Sequence, residues 1–236
     1  VTMLYPRYFM QQLLDHLYVI GQAPPGAGHK FTDCHVYLVR GERAAIAIDA
    51  GSGALWPLAR AAMERYGFAN LPISHVLVTH GHGDHARGLT EFEGQGALTT
   101  CSAYTAKHLD SKEDADVIFE RDGVLDLGEF RPQVVLTPGH TPGCASFRLT
   151  VDGAQCLFTG DLIQLDGGLG WCGSEGFSRE DVLKSLKKLA ALPAPDILGL
   201  GHAYVEQGGL EVLKKGIAYG ESGKWIVWTE ERPVMP

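Results

Sequence analysis

His80-Gly81-His82-Gly83-Asp84-His85 places three imidazoles and one carboxylate within six residues, with glycine filling the gaps. Neutral imidazole nitrogen is the commonest protein ligand for zinc and similar ions, and carboxylate oxygen complements it. With ten histidines in the chain a close pair would mean little. Three in this window, with aspartate among them, have no explanation in core packing, because titratable groups are seldom buried for that purpose. Gly81 and Gly83 allow the tight turn that lets the four side chains converge. The chemistry expected is metal binding, and a metal that keeps one position open for water can do hydrolysis.

One ion takes about four ligands, so the cluster could serve one ion fully or two in part. The residues before it, Ile73-Ser74-His75-Val76-Leu77-Val78-Thr79, read as a buried strand. Three later residues occupy similar settings. His140 follows Val134-Val135-Leu136-Thr137-Pro138-Gly139, Asp161 follows Cys156-Leu157-Phe158-Thr159-Gly160, and His202 follows Asp196-Ile197-Leu198-Gly199-Leu200-Gly201. Each is an apolar run, then glycine or proline, then a ligand-type residue. Four such strand ends suggest one edge of a layered sheet carrying every ligand, where open α/β sheets place their sites. Taken alone, His202 also reads as a loop histidine and Asp161 as a turn aspartate.

The HxHxDH cluster, the Pro138-Gly139-His140-Thr141 turn, the Phe158-Thr159-Gly160-Asp161 turn and the late Gly201-His202 resemble, in order, the metallo-β-lactamase superfamily. Cys34-His35-Val36-Tyr37-Leu38-Val39 and Ala47-Ile48-Asp49-Ala50-Gly51 resemble its opening strands, so the likeness runs from about Leu17 to Tyr204. The resemblance implies a four-layer αβ/βα sandwich and two divalent metal ions, zinc in the first place, with iron or manganese accepted by the same ligands. His80, His82 and His140 would hold one ion; Asp84, His85 and His202 would hold the other; Asp161 would bridge them. Asp49 resembles the early aspartate that supports the site through a ligand, although before Ala50-Gly51 it also suits an Asx turn.

Two adjacent dications lower the pKa of a bridging water, and the resulting hydroxide attacks an ester-like carbonyl. One ion would polarise the carbonyl oxygen while the other could hold the leaving atom, and Asp84 could orient the nucleophile and shuttle its proton. No Gly-x-Ser-x-Gly segment is present, so a serine nucleophile finds no support. True β-lactamases of the superfamily carry cysteine or serine where Asp161 stands. The aspartate therefore points to thioesterase, lactonase and phosphodiesterase relatives, and to iron-containing ones. Gly201-His202-Ala203-Tyr204 resembles the Gly-His-x-Tyr of hydroxyacylglutathione hydrolases, which implies that Tyr204 donates its phenol to substrate or lines the pocket; packing on the C-terminal helix is the alternative. The tyrosine that acylhomoserine lactonases place after the aspartate is missing from Leu162-Ile163-Gln164, and Gly170-Trp171-Cys172 replaces the Gly-Arg-Thr-Asp of persulfide dioxygenases. The leading expectation is a dinuclear hydrolase of thioesters, lactones or similar substrates. An iron-dependent redox enzyme on the same scaffold, persulfide dioxygenase-like, and a β-lactamase-type amide hydrolase are the alternatives.

The ligands span His80 to His202, so the 236 residues are expected to form one domain. A net charge of −8 disfavours a nucleic-acid surface or a polybasic membrane patch, and no apolar run is long enough to span a bilayer. No leader is read at the start, and five scattered cysteines suggest reduced thiols in the cytoplasm. Strands are expected at 17–20, 34–39, 45–49, 73–79, 97–100, 134–137, 145–151, 155–159 and 197–200, and helices at 54–66, 103–109, 179–192 and 206–221. A small-molecule substrate would meet the loops around the metals, with Phe31, Trp171, Cys172 and Phe177 as candidate pocket residues. The apolar Trp225-Ile226-Val227-Trp228 packs either on its own domain or on a partner subunit.

Overall fold

In each of the two central strands, successive side chains serve opposite faces, and both faces are apolar. In Val36–Arg40 the residues Val36 and Leu38 join one core cluster while Tyr37 and Val39 join another; in Ala45–Ile48 the pairs Ala45/Ala47 and Ile46/Ile48 divide the same way. A strand buried on both sides must lie between two other layers. The computed structural model, which describes residues 8–22, 33–53, 56–68, 70–109 and 115–227, supplies those layers.

The first sheet runs in the order β1 (Tyr8–Leu14), β2 (Leu17–Gln22), β3 (Val36–Arg40), β4 (Ala45–Ile48), β5 (Ile73–Leu77), β6 (Leu98–Ser102) and β7 (Val117–Phe119). It is antiparallel through β4 and parallel from β4 onward. Helices α1 (Trp56–Arg65), α2 (Gly83–Ala86), α3 (Leu89–Glu93) and α4 (Ala103–Ala106) lie in its crossovers. The second sheet contains β8 (Gly123–Val124), β9 (Gln133–Leu136), β10 (Ala145–Val151), β11 (Ala154–Phe158), β12 (Ile197–Gly199) and β13 (Tyr204–Val205), in sequential order across the sheet. Helices α5 (Arg179–Ala190) and α6 (Gly209–Ser222) cover its outer face.

Three apolar clusters define the layers. Phe92, Met63 and Leu89 join the outer face of the first sheet. Ile46, Ile48 and Leu77 meet Phe147, Phe158 and Ile197 between the sheets. Val182, Leu186, Leu189 and Leu213 close the outer face of the second. The result is the four-layer αβ/βα sandwich.

Local chemistry sets the boundaries. Ser178 caps α5 by accepting from Asp181 N at 3.1 Å, with Glu180 and Asp181 in the first turn and Lys187 and Lys188 in the last. Asp152 (φ 51°) and Gly153 (φ 83°) make the two-residue turn joining β10 to β11, the left-handed pair such hairpins favour. Several expected elements are shorter than the sequence suggested, the strand expected at 73–79, for one, ending at Leu77. The strand expected from residue 34 begins at Val36, because Cys34 and His35 donate out of the sheet, to Asp84 O at 3.2 Å and Gly201 O at 2.6 Å. The helix expected from 206 begins at Gly209, because Val205 still pairs with Leu198 and Gly208 is left-handed. The helix at 103–109 is helical only to Ala106. Among the described residues, no helix is long and apolar enough to cross a membrane.

Candidate metal centre

The ligand-type residues leave the C-terminal ends of their strands from both sheets. β5 leads to His80 and His82, and α2 carries Asp84 and His85. The turn between β9 and β10 presents His140, a single 3-10 turn after β11 presents Asp161, and the loop between β12 and β13 presents His202. They fall into two adjoining groups that could hold a metal ion: His80, His82 and His140, and Asp84, His85, Asp161 and His202, with the donor atoms of each within 4.8 Å of one another.

In the first group, His82 Nδ1 lies 3.0 Å from both His80 Nε2 and His140 Nε2. In the second, Asp161 Oδ1 is 3.5 Å from His85 Nε2 and Asp161 Oδ2 is 3.4 Å from His202 Nε2. The same Oδ2 is 3.9 Å from His140 Nε2, so this one carboxylate reaches both groups. Asp84 Oδ2 lies 3.3 Å from His202 Nε2 and 3.7 Å from His85 Nε2. Gly201 lets Asp161 sit so close, since a Cβ there would run into its Oδ1.

The imidazoles are oriented from behind. Asp49, at the end of β4 with φ 59°, accepts from Thr79 N at 2.7 Å and Thr79 Oγ1 at 2.8 Å through separate oxygens, and His85 Nδ1 lies 2.8 Å from its Oδ2. A carboxylate only accepts, so His85 Nδ1 carries a proton and its Nε2 faces the cluster. Thr79 Oγ1, having donated to Asp49, accepts from His80 Nδ1 at 3.1 Å, which turns His80 Nε2 inward in the same way. His202 Nδ1 donates to Asp33 O at 3.2 Å. Tyr37 donates from its hydroxyl to Leu200 O and Ala203 O, at 2.8 and 2.7 Å, and tethers the loop carrying His202.

Charge separates the groups. Burial, with His85 and His140 nearby, lowers His80, and burial brings His140 down to about 4, so these imidazoles are neutral at pH 7. Burial would also lower His202, but Asp161 and Asp84 outweigh it and hold that imidazole up to about 10. Burial would raise Asp161, but His202 and His85 hold it well below the usual carboxylate range. The carboxylates therefore demand positive charge, which in the bare chain comes from a proton. His85 Nε2 and Asp161 Oδ1 are buried and without a hydrogen-bond partner, as expected of atoms that share a cation. Six nitrogen-or-oxygen side chains and a shared carboxylate fit zinc, iron or manganese.

Of the remaining described candidates, Trp171 borders the donor cluster, and Tyr204, Cys172 and Phe177 make their contacts elsewhere. The Tyr204 phenol donates to Gln11 Oε1 at 2.8 Å and its ring is 6.2 Å from that of His35, away from the C-terminal helix. The Trp171 ring lies 5.3 Å from that of His82 and is 61% exposed. Cys172 donates its thiol to Gly170 O at 3.3 Å, and both it and Phe177 pack inward on the outer core of the second sheet. Phe31 and Trp228 lie outside the described residues. Trp225 and Val227 pack on that same core, and Leu169 N donates to Ile226 O. Sequence reasoning did not single out Thr79, Tyr37 or Asp33. Thr79 had a signal in its position directly before His80; the other two act from a distant strand and a backbone carbonyl, which no spacing reveals.

A family model described as the metallo-beta-lactamase superfamily matches residues 29–202. A probable polyketide biosynthesis zinc-dependent hydrolase, BaeB of Bacillus velezensis, is 26% identical over 217 residues, covering 87% of this chain and 89% of that protein. A hydroxyacylglutathione hydrolase of Rhodopseudomonas palustris is 34% identical over 178 residues, 73% of this chain. The chain spans 64% of that relative's length, and about half of the enzymes of the same name from Cereibacter sphaeroides and Methylococcus capsulatus. Among solved structures, a metallo-beta-lactamase of Cronobacter sakazakii superposes with a TM-score of 0.71 at 20% identity, covering 91% of this chain and 93% of that one. ETHE1 of Myxococcus xanthus superposes with a TM-score of 0.60 at 23% identity, covering 86% and 89%.

Proposed function

The chain belongs to the metallo-β-lactamase superfamily and is a metal-dependent hydrolase, and from that premise we propose that it is a dinuclear enzyme cleaving an ester-like carbonyl in a small molecule, a thioester, lactone or similar bond. The observation that carries this reading is Asp161, whose carboxylate reaches His140 of one donor group and His85 and His202 of the other. Two divalent cations held by these groups would supply a hydroxide near neutral pH and polarise the carbonyl. Its relatives are named as zinc-dependent and hydroxyacylglutathione hydrolases, which supports zinc and ester-type chemistry.

The chain's own residues divide the remaining work. Asp161, buried beside His85 and His202, stays ionised and fixes the spacing of the two groups. Asp84 has a side chain 34% exposed against 11% for Asp161, so it is the carboxylate that meets both water and substrate. It accepts the proton that the attacking water loses and returns it to the departing oxygen, sulfur or nitrogen. Asp49 and Thr79 keep the lone pairs of His80 and His85 aimed at the centre. Both sheets contribute donors, which supports treating the chain as one domain. The cysteines are all unpaired, which supports a reducing compartment such as the cytoplasm.

Elemental analysis of the purified protein, paired with hydrolysis assays on thioesters and lactones, tests the reading. About two metal equivalents per chain, with turnover lost on chelation and restored by zinc, is the expected result. One equivalent, or turnover that survives chelation, would overturn the dinuclear mechanism.

A further inference from the structure

Trp171 is a large apolar side chain held in the open at the edge of the donor cluster. Its loop is pinned on both sides. Leu169, 2% exposed, donates its N–H to Ile226 O at 2.8 Å, and the Ser174 hydroxyl donates to the backbone carbonyl of His140. Between these anchors the indole lies against Gly173, where an added Cβ would come within 2.7 Å of Trp171 Cε2 and Cζ2. Its ring meets that of His82 edge-on at 5.3 Å, with 62° between the planes. Its neighbour Cys172 turns into the core instead, so the loop does not expose its apolar side chains indiscriminately. Leu165, 46% exposed, belongs to the same loop. An indole held this way, against a residue of the cluster, offers a flat face to whatever the cluster binds.

We infer that Trp171 determines specificity by serving as the platform for an apolar arm of the substrate, so that the preferred esters carry an alkyl or aryl group on the side of His80, His82 and His140. The inference rests on the hydrolase reading above and adds the substrate class to it. The arm gains by leaving water and covering the indole, and this gain grows with arm length. It is largely uniform binding, present before and during reaction, so it is expressed mainly in KM.

The test uses the metal-loaded enzyme and two thioester series, one lengthening the acyl group from acetyl to octanoyl, the other enlarging the thiol from methyl to benzyl with acetyl fixed. In Trp171→Ala the loss in kcat/KM should grow with arm size in one series, from about 3-fold for the smallest member to about 10- to 100-fold for the largest, chiefly through KM. Metal content should match the wild type. Gly173→Ala keeps the indole but pushes it aside, and should reproduce the size-dependent loss. An equal loss across both series, or a wild-type size dependence in both variants, would overturn the platform. If the wild type cleaves none of these thioesters, the thioester branch of the hydrolase reading fails on its own. The platform is then judged by binding: octanoate should shift tryptophan emission to the blue in the wild type and not in Trp171→Phe, and equal shifts in both would overturn it.

Discussion

The two donor groups share one floor and are built on opposite electrostatic principles. In the first, His80 and His140 are held neutral at pH 7 by burial, and each places a nitrogen 3.0 Å from His82 Nδ1. Asp84, His85, Asp161 and His202 form a charged set, in which the carboxylates hold His202 up to about 10. A dication in the first set would meet one carboxylate, the shared Asp161, whereas in the second it would meet two. The first therefore suits polarising a carbonyl oxygen, and the second suits holding a nucleophile and accepting its proton. One carboxylate, Asp161, belongs to both.

The strongest way to break this arrangement is therefore Asp161→Ala. Both groups lose their common member, and kcat/KM should fall by about 10³-fold or more, with metal content reduced at both positions in elemental analysis. A variant retaining full metal would show that the groups are independent. Next come the separate halves. His140→Ala and His202→Ala should each leave about one metal per chain and lower turnover by about 10²-fold. Spectroscopy of cobalt-substituted protein should show that the two variants keep different sites, and identical spectra would refute the division. Asp49→Asn tests the support shared by both sets. Asparagine tolerates the left-handed backbone at this position, so the fold should persist while metal affinity falls about 10- to 100-fold in competition with a chelator. The smallest effect is expected at Tyr204→Phe. Loss of the bond to Gln11 should cost about 0.5–1.5 kcal/mol in denaturant unfolding, with turnover changed by less than about threefold. A kcat drop of about 10²-fold would show instead that the phenol donates to substrate.

Much of this was readable in the chain because its ligands follow strands of clear pattern. The runs before His80, His140, Asp161 and His202 are apolar and end in glycine, proline or threonine, so both strand and terminus show in the sequence. The strand at 145–151 was read to the residue, since the Asp152-Gly153 turn stops it. Other elements left no such trace. The single-turn helix α2 is too short for a helical period, and β7 and β8, with three and two residues, are too short for alternation. The division of ligands between the two groups came from family resemblance, because spacing along the chain does not say which imidazoles meet across two sheets. The exposure of Trp171 against the inward turn of Cys172 and Phe177 was equally hidden, because neighbours in an irregular loop carry no periodicity.

His80, His82, Asp84 and His85 ride on one sheet, while His140, Asp161 and His202 ride on the other. Every ion held here is thus a rivet through the sandwich. A slip of one sheet past the other by a single residue, about 3.3 Å, would pull the donors apart by as much as their present spacing. The inter-sheet core of Phe147, Phe158, Ile46 and Leu77 consequently acts as the alignment gauge of the catalyst. Methyl-sized losses far from any donor will register as leaking metal before they register as unfolding.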